Sequence, residues 1–214
     1  LREAWYGFEF ILKRPSLLGL QLVFFFGNFL GSFMWVLMSP MILARTGDNT
    51  IVLGSVQSIA SIGGVLGGIL VAAWGGFKRK ILGVLLGWSV SGIFVFAFGL
   101  GRALIPWGVA IFLLELAVMV VNPSNQAIWQ SKVPPDVQGR VFSVRRMIAQ
   151  ISSPLAMLIS GPLADYVFEP GLKTSGNPLN TLFSGIFGSG PGAGMGVLIS
   201  ITGLLTILVG LIPL

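Results

Sequence analysis

The sequence has no cysteine and no histidine, and only 9% of its residues are charged. Without cysteine there is no disulfide framework, no thiol nucleophile and no thiolate metal site. Without histidine the usual proton shuttle of neutral pH is missing, and with it the commonest metal ligand. So little charge cannot clothe a soluble surface, where about a quarter of residues are normally charged. What is present is apolar: 54% of the 214 residues are hydrophobic, and 30 are glycine. This is the composition of an integral membrane protein in a lipid bilayer. A net charge of +6 is also seen in nucleic-acid binders, but cationic loops on one side of a membrane account for it better. No nucleic-acid partner, metal or cofactor is expected.

A spanning helix needs about 20 predominantly apolar residues. Six segments meet this: 17–41, 51–74, 81–101, 104–127, 143–167 and 195–213. The chain therefore divides into a cytoplasmic amphipathic helix at 1–15, which suits either a helix lying on the inner membrane surface or a linker between two bundles, and an all-α bundle of six transmembrane helices at 16–214. Lys and Arg sort between alternating loops. Arg2, Lys13, Arg14, Lys78, Arg79, Lys80, Lys132, Arg140, Arg145 and Arg146 fall on one side; Arg45, Arg102 and Lys173 fall on the other. The positive-inside bias then puts both chain ends in the cytoplasm. The opening residues show no signal peptide, and the chain reads as one entered partway. In the surface helix, Trp5, Phe8 and Leu12 share one face, and Glu9 can pair with Lys13. Trp107 and Trp129 bracket the fourth span as expected interface anchors. In the outer segment, Asn177 followed by Pro178 marks the start of a short helix.

The second span carries Gly63, Gly64, Gly67 and Gly68. Pairs four apart let two helix backbones approach closely in lipid. The turn after it, "WGGFKRKI", joins two glycines, Gly75 and Gly76, to Lys78, Arg79 and Lys80. The next loop on that side, "PPDVQGRVFS", contains Gly139 and Arg140, with Asp136 as a helix-cap candidate. Pro154 lies inside the fifth span, where Ser152 and Ser153 can partly offset its missing N–H.

These two loops resemble the hallmark loops of the major facilitator superfamily. "VFSVRRMIAQISSPLAMLISGPLADYVFEP" is similar to the eleventh helix of its bacterial drug, macrolide and siderophore efflux branch. Trp74 stands where the superfamily loop has an aspartate, while Lys78 and Arg79 match its basic positions. The resemblance implies one half of a twelve-helix fold, the carboxyl-terminal one. It implies an amino-terminal six-helix half of the same polypeptide as partner, and a bacterial inner membrane location. Gly75, Gly76, Lys78, Arg79, Gly139 and Arg140 would form cytoplasmic gating loops.

One stretch stands apart. "FLLELAVMVV" holds a single carboxylate, Glu115, near the middle of the fourth span. A charge at that depth costs roughly 3 to more than 10 kcal/mol. Protonation, a cation from elsewhere or a water-filled cavity can reduce the cost, and no Lys or Arg of this chain is expected at that depth. Glu115, Met119, Asn122 and Gln126 share a helical face, as do Gln21, Asn28 and Trp35 on the first span. Such faces avoid lipid. Interhelical hydrogen bonding is the slightly better explanation of Asn28 and Gln21, whereas an ionisable group at the midplane favours function for Glu115. The family resemblance implies that Gln21, Asn28, Glu115 and Asn122 face a substrate path.

The function expected is secondary transport: proton-coupled efflux of a small, largely apolar molecule by alternating access. No phosphate-binding G-x-x-x-x-G-K-[ST] loop supports ATP-driven transport. An intramembrane enzyme would need a second catalytic group beside Glu115, and none is visible. A channel-like or scaffolding six-helix protein is the alternative; it lacks repeated polar rings and leaves Glu115 unexplained.

Overall fold

The structure, a computed structural model, describes residues 2–212. Leu1, Pro213 and Leu214, at the ends of the expected surface helix and last span, lie outside the described residues, as do the side chains of Arg2, Glu3 and Ala4. The helices are α1 (Arg2–Leu12), α2 (Pro15–Thr46), α3 (Thr50–Trp74), α4 (Lys80–Leu100), α5 (Leu104–Lys132), α6 (Gln138–Leu163), α7 (Glu169–Lys173), α8 (Pro178–Phe187) and α9 (Ala193–Gly210). Six stretches are long and apolar enough to cross a membrane.

Local chemistry sets the helix ends. Pro15 sits in the first turn of α2, where its missing N–H costs nothing. Gly47 ends that helix in the left-handed region, and Asn49 caps α3 by accepting from Ile51 N–H and Val52 N–H at 3.0 and 3.2 Å. Gly75 and Gly76, at φ 77° and 73°, reverse the chain into α4. Asn177 caps α8, whose second residue Leu179 donates to it at 2.9 Å. Asp136, expected to cap α6, does not. It lies in a 3-10 turn, Pro135–Val137, and Gln138 Nε2 instead reaches back to Val133 O. Helix α6 continues through Pro154 and passes into a π-helical turn, Ala164–Phe168, just after Pro162.

Packing runs in the order α3, α5, α4, α9, α2, α6, with α1 against α6. The tightest seam joins α4 to α9. Gly92 and Gly99 are seven residues apart on α4; Gly196, Gly203 and Gly210 are seven apart on α9. A Cβ on Gly92 would come within 2.6 Å of Gly203 O and Ile207 N, and Gly99 lies just as closely on Gly196. With no hydrophobic drive between helices in lipid, such backbone contact supplies the dispersion energy that holds them together.

Helix α1 docks on α6 through Gly7, Phe10 and Ile11; a Cβ at Gly7 would meet Arg140 O and Val144. Trp5 and Leu12 stay exposed, and Lys13 pairs with Glu9. Trp107 and Trp129 are not interface anchors: both are 0% exposed. Trp107 packs over Gly101 in the core, and Trp129 Nε1 donates to Asn125 Oδ1 at 3.0 Å. Packing between helices, not the membrane boundary, holds these rings.

The two sets of cations lie at opposite ends of the bundle. At one end Lys132 Nζ donates to Ser16 Oγ, and Arg145 Nη1 to Gln126 Oε1 at 2.8 Å. At the other, Arg45 donates to Gly99 O and Gly192 O at 3.2 Å and also to Gly101 O, while Arg102 reaches Ile186 O. Beside Arg45, Glu169 is 9% exposed and accepts from Gly192 N–H and Met195 N–H at 3.3 and 3.0 Å. Arg45 thus covers the carbonyl end of α4, and Glu169 the amide end of α9, each matching the helix dipole. Replacing Glu169 with alanine strands both N–H groups. The expected loss is about 1–3 kcal/mol, read as a lower unfolding temperature of the purified protein in detergent, whereas Lys173→Ala, which removes only an exposed partner, should change little.

Candidate functional site

Helix α5 carries Glu115, Met119, Asn122 and Gln126 along one face, and α3 is drawn against α5 by glycine at Glu115 and Met119. A Cβ at Gly63 would strike Phe112 O at 2.9 Å and Glu115 Cβ at 3.2 Å; one at Gly67 would strike Met119 Cγ at 2.9 Å. The close approach of α3 therefore falls at the depth of Glu115. Gly64 contributes differently, since a Cβ there would lie 3.5 Å from Glu115 Oε2. Gly68 meets nothing within 4 Å, because one step around the helix from Gly67 turns it away from α5.

Glu115 is half-buried and makes no hydrogen bond or ion pair among the described residues. It lies between two cavities. One, of about 140 Å³ and partly open beside Trp35, lies between α2, α4, α5 and α9, and Asn28, Trp88, Ser91, Glu115 and Thr206 line it. The other, about 460 Å³ and more open, lies between α2, α3 and α5 and is bordered by Ser39, Gln57, Ser61, Gly64 and Glu115. Trp35, 48% exposed, lines both. Asn28 Nδ2 donates to Phe24 O at 2.6 Å, and Ser32 Oγ to Asn28 O at 2.8 Å. The amide oxygen of Asn28 is left for the cavity.

The structure thus brings Asn28 and Glu115 to one cavity, whereas Gln21 and Asn122 line neither. Each lies seven residues from its partner on the same helix, on the same face but ~10 Å along the axis. Gln21 is buried and donates from Nε2 to Arg145 O at 3.3 Å; Asn122 is exposed. Of the loop residues, Lys78, Arg79, Gly139 and Arg140 are exposed, and Lys80 Nζ donates to Gly75 O at 3.1 Å. Trp74 packs edge-on against Phe77 at 4.8 Å between ring centres.

Sequence reasoning missed Trp88, Ser91 and Thr206, which reach the cavity from α4 and α9, and Gln57 and Ser61 of α3. The i,i+4 spacing of Gln57 and Ser61 was a usable signal; Ser91, with only Ser89 as a polar neighbour in an otherwise apolar stretch, offered no helical stripe. No cluster of metal-ligating side chains occurs among the described residues. A single mid-depth carboxylate bordered by two cavities, an aromatic and neutral polar groups can exchange a proton or hold a cation. Among the residues lining its cavities, nothing accompanies it as a second acid, base or nucleophile.

Six helices long and apolar enough to span a bilayer, around a cavity with polar lining at the middle of the bundle, define a polytopic α-helical membrane protein. The sequence pattern of the Major Facilitator Superfamily matches residues 1–157, and the chain belongs to that superfamily. Two curated proteins from Streptococcus pyogenes, one of them from a serotype M6 strain, are similar to it; both are named Macrolide efflux protein A. Each is 28% identical over 178 residues, covering 78% of this chain and 42% of the relative. The chain therefore spans less than half the length of the curated relatives it matches. No solved structure matches it.

Proposed function

We propose that this chain forms part of a secondary transporter that exports a small, largely apolar molecule in exchange for protons by alternating access. The observation that carries this reading is Glu115: a carboxylate at mid-depth, without an ionic partner among the described residues, bordering two cavities. An ionisable group kept at that depth is expensive unless it works. Asn28, Trp35 and the groove-lining Gln57 and Ser61 offer neutral polar and aromatic contacts to a solute. Gly75, Gly76, Lys78, Arg79, Gly139 and Arg140 belong to the cytoplasmic loops that rearrange as access alternates, with both chain ends in the cytoplasm of a bacterial inner membrane. The partner surface is an amino-terminal six-helix half of the same polypeptide. The exposed apolar side chains of α3, such as Ile62, Val65 and Leu66, and of α6, such as Met157 and Leu158, suit such a partner or lipid.

The relatives' name makes a macrolide the first solute to try. The intact gene product, expressed in efflux-deficient bacteria, is expected to lower the accumulation of a radiolabelled macrolide, and a protonophore is expected to restore it. Accumulation equal to that of empty-vector cells would count against macrolides. Lowered accumulation that a protonophore leaves untouched would count against proton coupling.

A further inference from the structure

We propose that the narrower, partly open cavity behind Glu115 is a hydrated chamber that delivers protons to this carboxylate, apart from the wider groove that meets the solute. The proton-delivering role rests on the reading of Glu115 as the proton carrier; the presence of water does not.

The two cavities have different walls and meet only at shared residues. The chamber lies inside the six-helix bundle, between Asn28 and Ser32 of α2, Trp88 and Ser91 of α4, Leu114 and Val118 of α5, and Thr206 of α9. The groove opens between α2, α3 and α5. Glu115 and Trp35 border both, so they form the partition. The chamber's volume is about 140 Å³, against roughly 10–15 Å³ needed for one water on the same measure. It is too small for a drug-sized solute, whose pockets run to about 300–1,000 Å³.

Its walls call for water. Trp88 Nε1 and Ser91 Oγ are buried and have no hydrogen-bond partner among the described residues. Thr206 Oγ1 donates to Thr202 O and keeps acceptor capacity; Asn28 keeps its amide oxygen. Much of the wall is apolar, with Met34, Val95, Leu114 and Val118, and purely apolar cavities stay dry; unpartnered buried polar groups within such a wall bind water. Among all residues lining the chamber and the groove, from α2, α3, α4, α5 and α9, Glu115 is the sole ionisable one. A proton arriving through the chamber therefore has one destination. A hydronium ion there gives its proton to the carboxylate, leaving a carboxylic acid and a water molecule; the reverse step returns it.

The test is X-ray footprinting of the intact gene product in detergent, in which hydroxyl radicals formed from nearby water oxidise side chains. Trp88 is 7% exposed, Trp107 and Trp129 are 0% exposed and line neither cavity, and Trp35 is an exposed reference. Trp88 is expected to oxidise at a rate nearer that of Trp35 than those of Trp107 and Trp129. A Trp88 as inert as those two would overturn the hydrated chamber and leave the transporter reading intact. A second arm uses Ser91→Ala combined with Thr206→Val, a change of little volume. It is expected to lower Trp88 oxidation and to reduce gradient-driven transport severalfold relative to solute exchange in the same preparation. An unchanged ratio in a folded double variant would overturn the delivery role, and the unmodified protein's footprint decides the hydration even if that variant fails to fold.

Discussion

A Gly203→Leu variant is expected to give almost no folded protein. Gly203 faces Gly92 and Phe96 of α4 across a seam in which backbone touches backbone, with Gly92 O 2.8 Å from where a Cβ would stand. Backbone cannot rotate aside as a side-chain end can. Overpacking a core usually costs ~1–3 kcal/mol, and a site walled by main chain should cost at least ~3 kcal/mol. In lipid the lost helix contact is not regained by hydrophobic collapse. Gly68→Leu, on an open face of α3, is the matched control and should express normally as far as this chain's own packing decides it. The measurement is the monodisperse fraction on size-exclusion chromatography after detergent extraction. Equal recovery of the two variants would mean that α4 and α9 do not pack as described.

The second large effect is functional. Glu115→Gln keeps size and hydrogen-bonding capacity but cannot exchange a proton. Since Glu115 has no ion pair to lose among the described residues, stability should barely change. Gradient-driven transport by reconstituted protein should fall to the level of empty liposomes, while exchange of labelled for unlabelled solute continues. Glu115→Asp, with its carboxylate drawn back by one methylene, should retain part of the driven transport. Driven transport at full rate in the Gln variant would remove this residue from the coupling mechanism.

Much of this architecture was legible because lipid imposes a simple rule: spans must be long and apolar, and all six were. The segregation of cations followed for the same reason. Glu115 was legible as an anomaly, since a carboxylate in the middle of an apolar span is costly without a partner or water. Periodicity put Gln21 with Asn28 and Asn122 with Glu115 on shared helix faces, but it carries no depth; of the four, only Asn28 and Glu115 border the two cavities, with Gln21 and Asn122 ~10 Å further along their helices. Trp107 and Trp129 were misread because the enrichment of tryptophan at membrane boundaries says nothing of how a particular ring packs against a neighbouring helix. The α4–α9 seam was overlooked although its seven-residue glycine spacing is in plain sight; the closer Gly63–Gly67 repeat drew attention first. The hydrogen bonds of Arg45 and Glu169 join segments more than fifty and twenty residues apart, respectively, and no local pattern announces them.

The central claim is that Glu115 trades a proton against solute. It is tested most directly by adding the proposed macrolide substrate to the intact purified protein in weakly buffered detergent solution and following a pH indicator. The account predicts proton release on solute addition by the unmodified protein and none by Glu115→Gln at matched occupancy. Equal proton release by both proteins would contradict it.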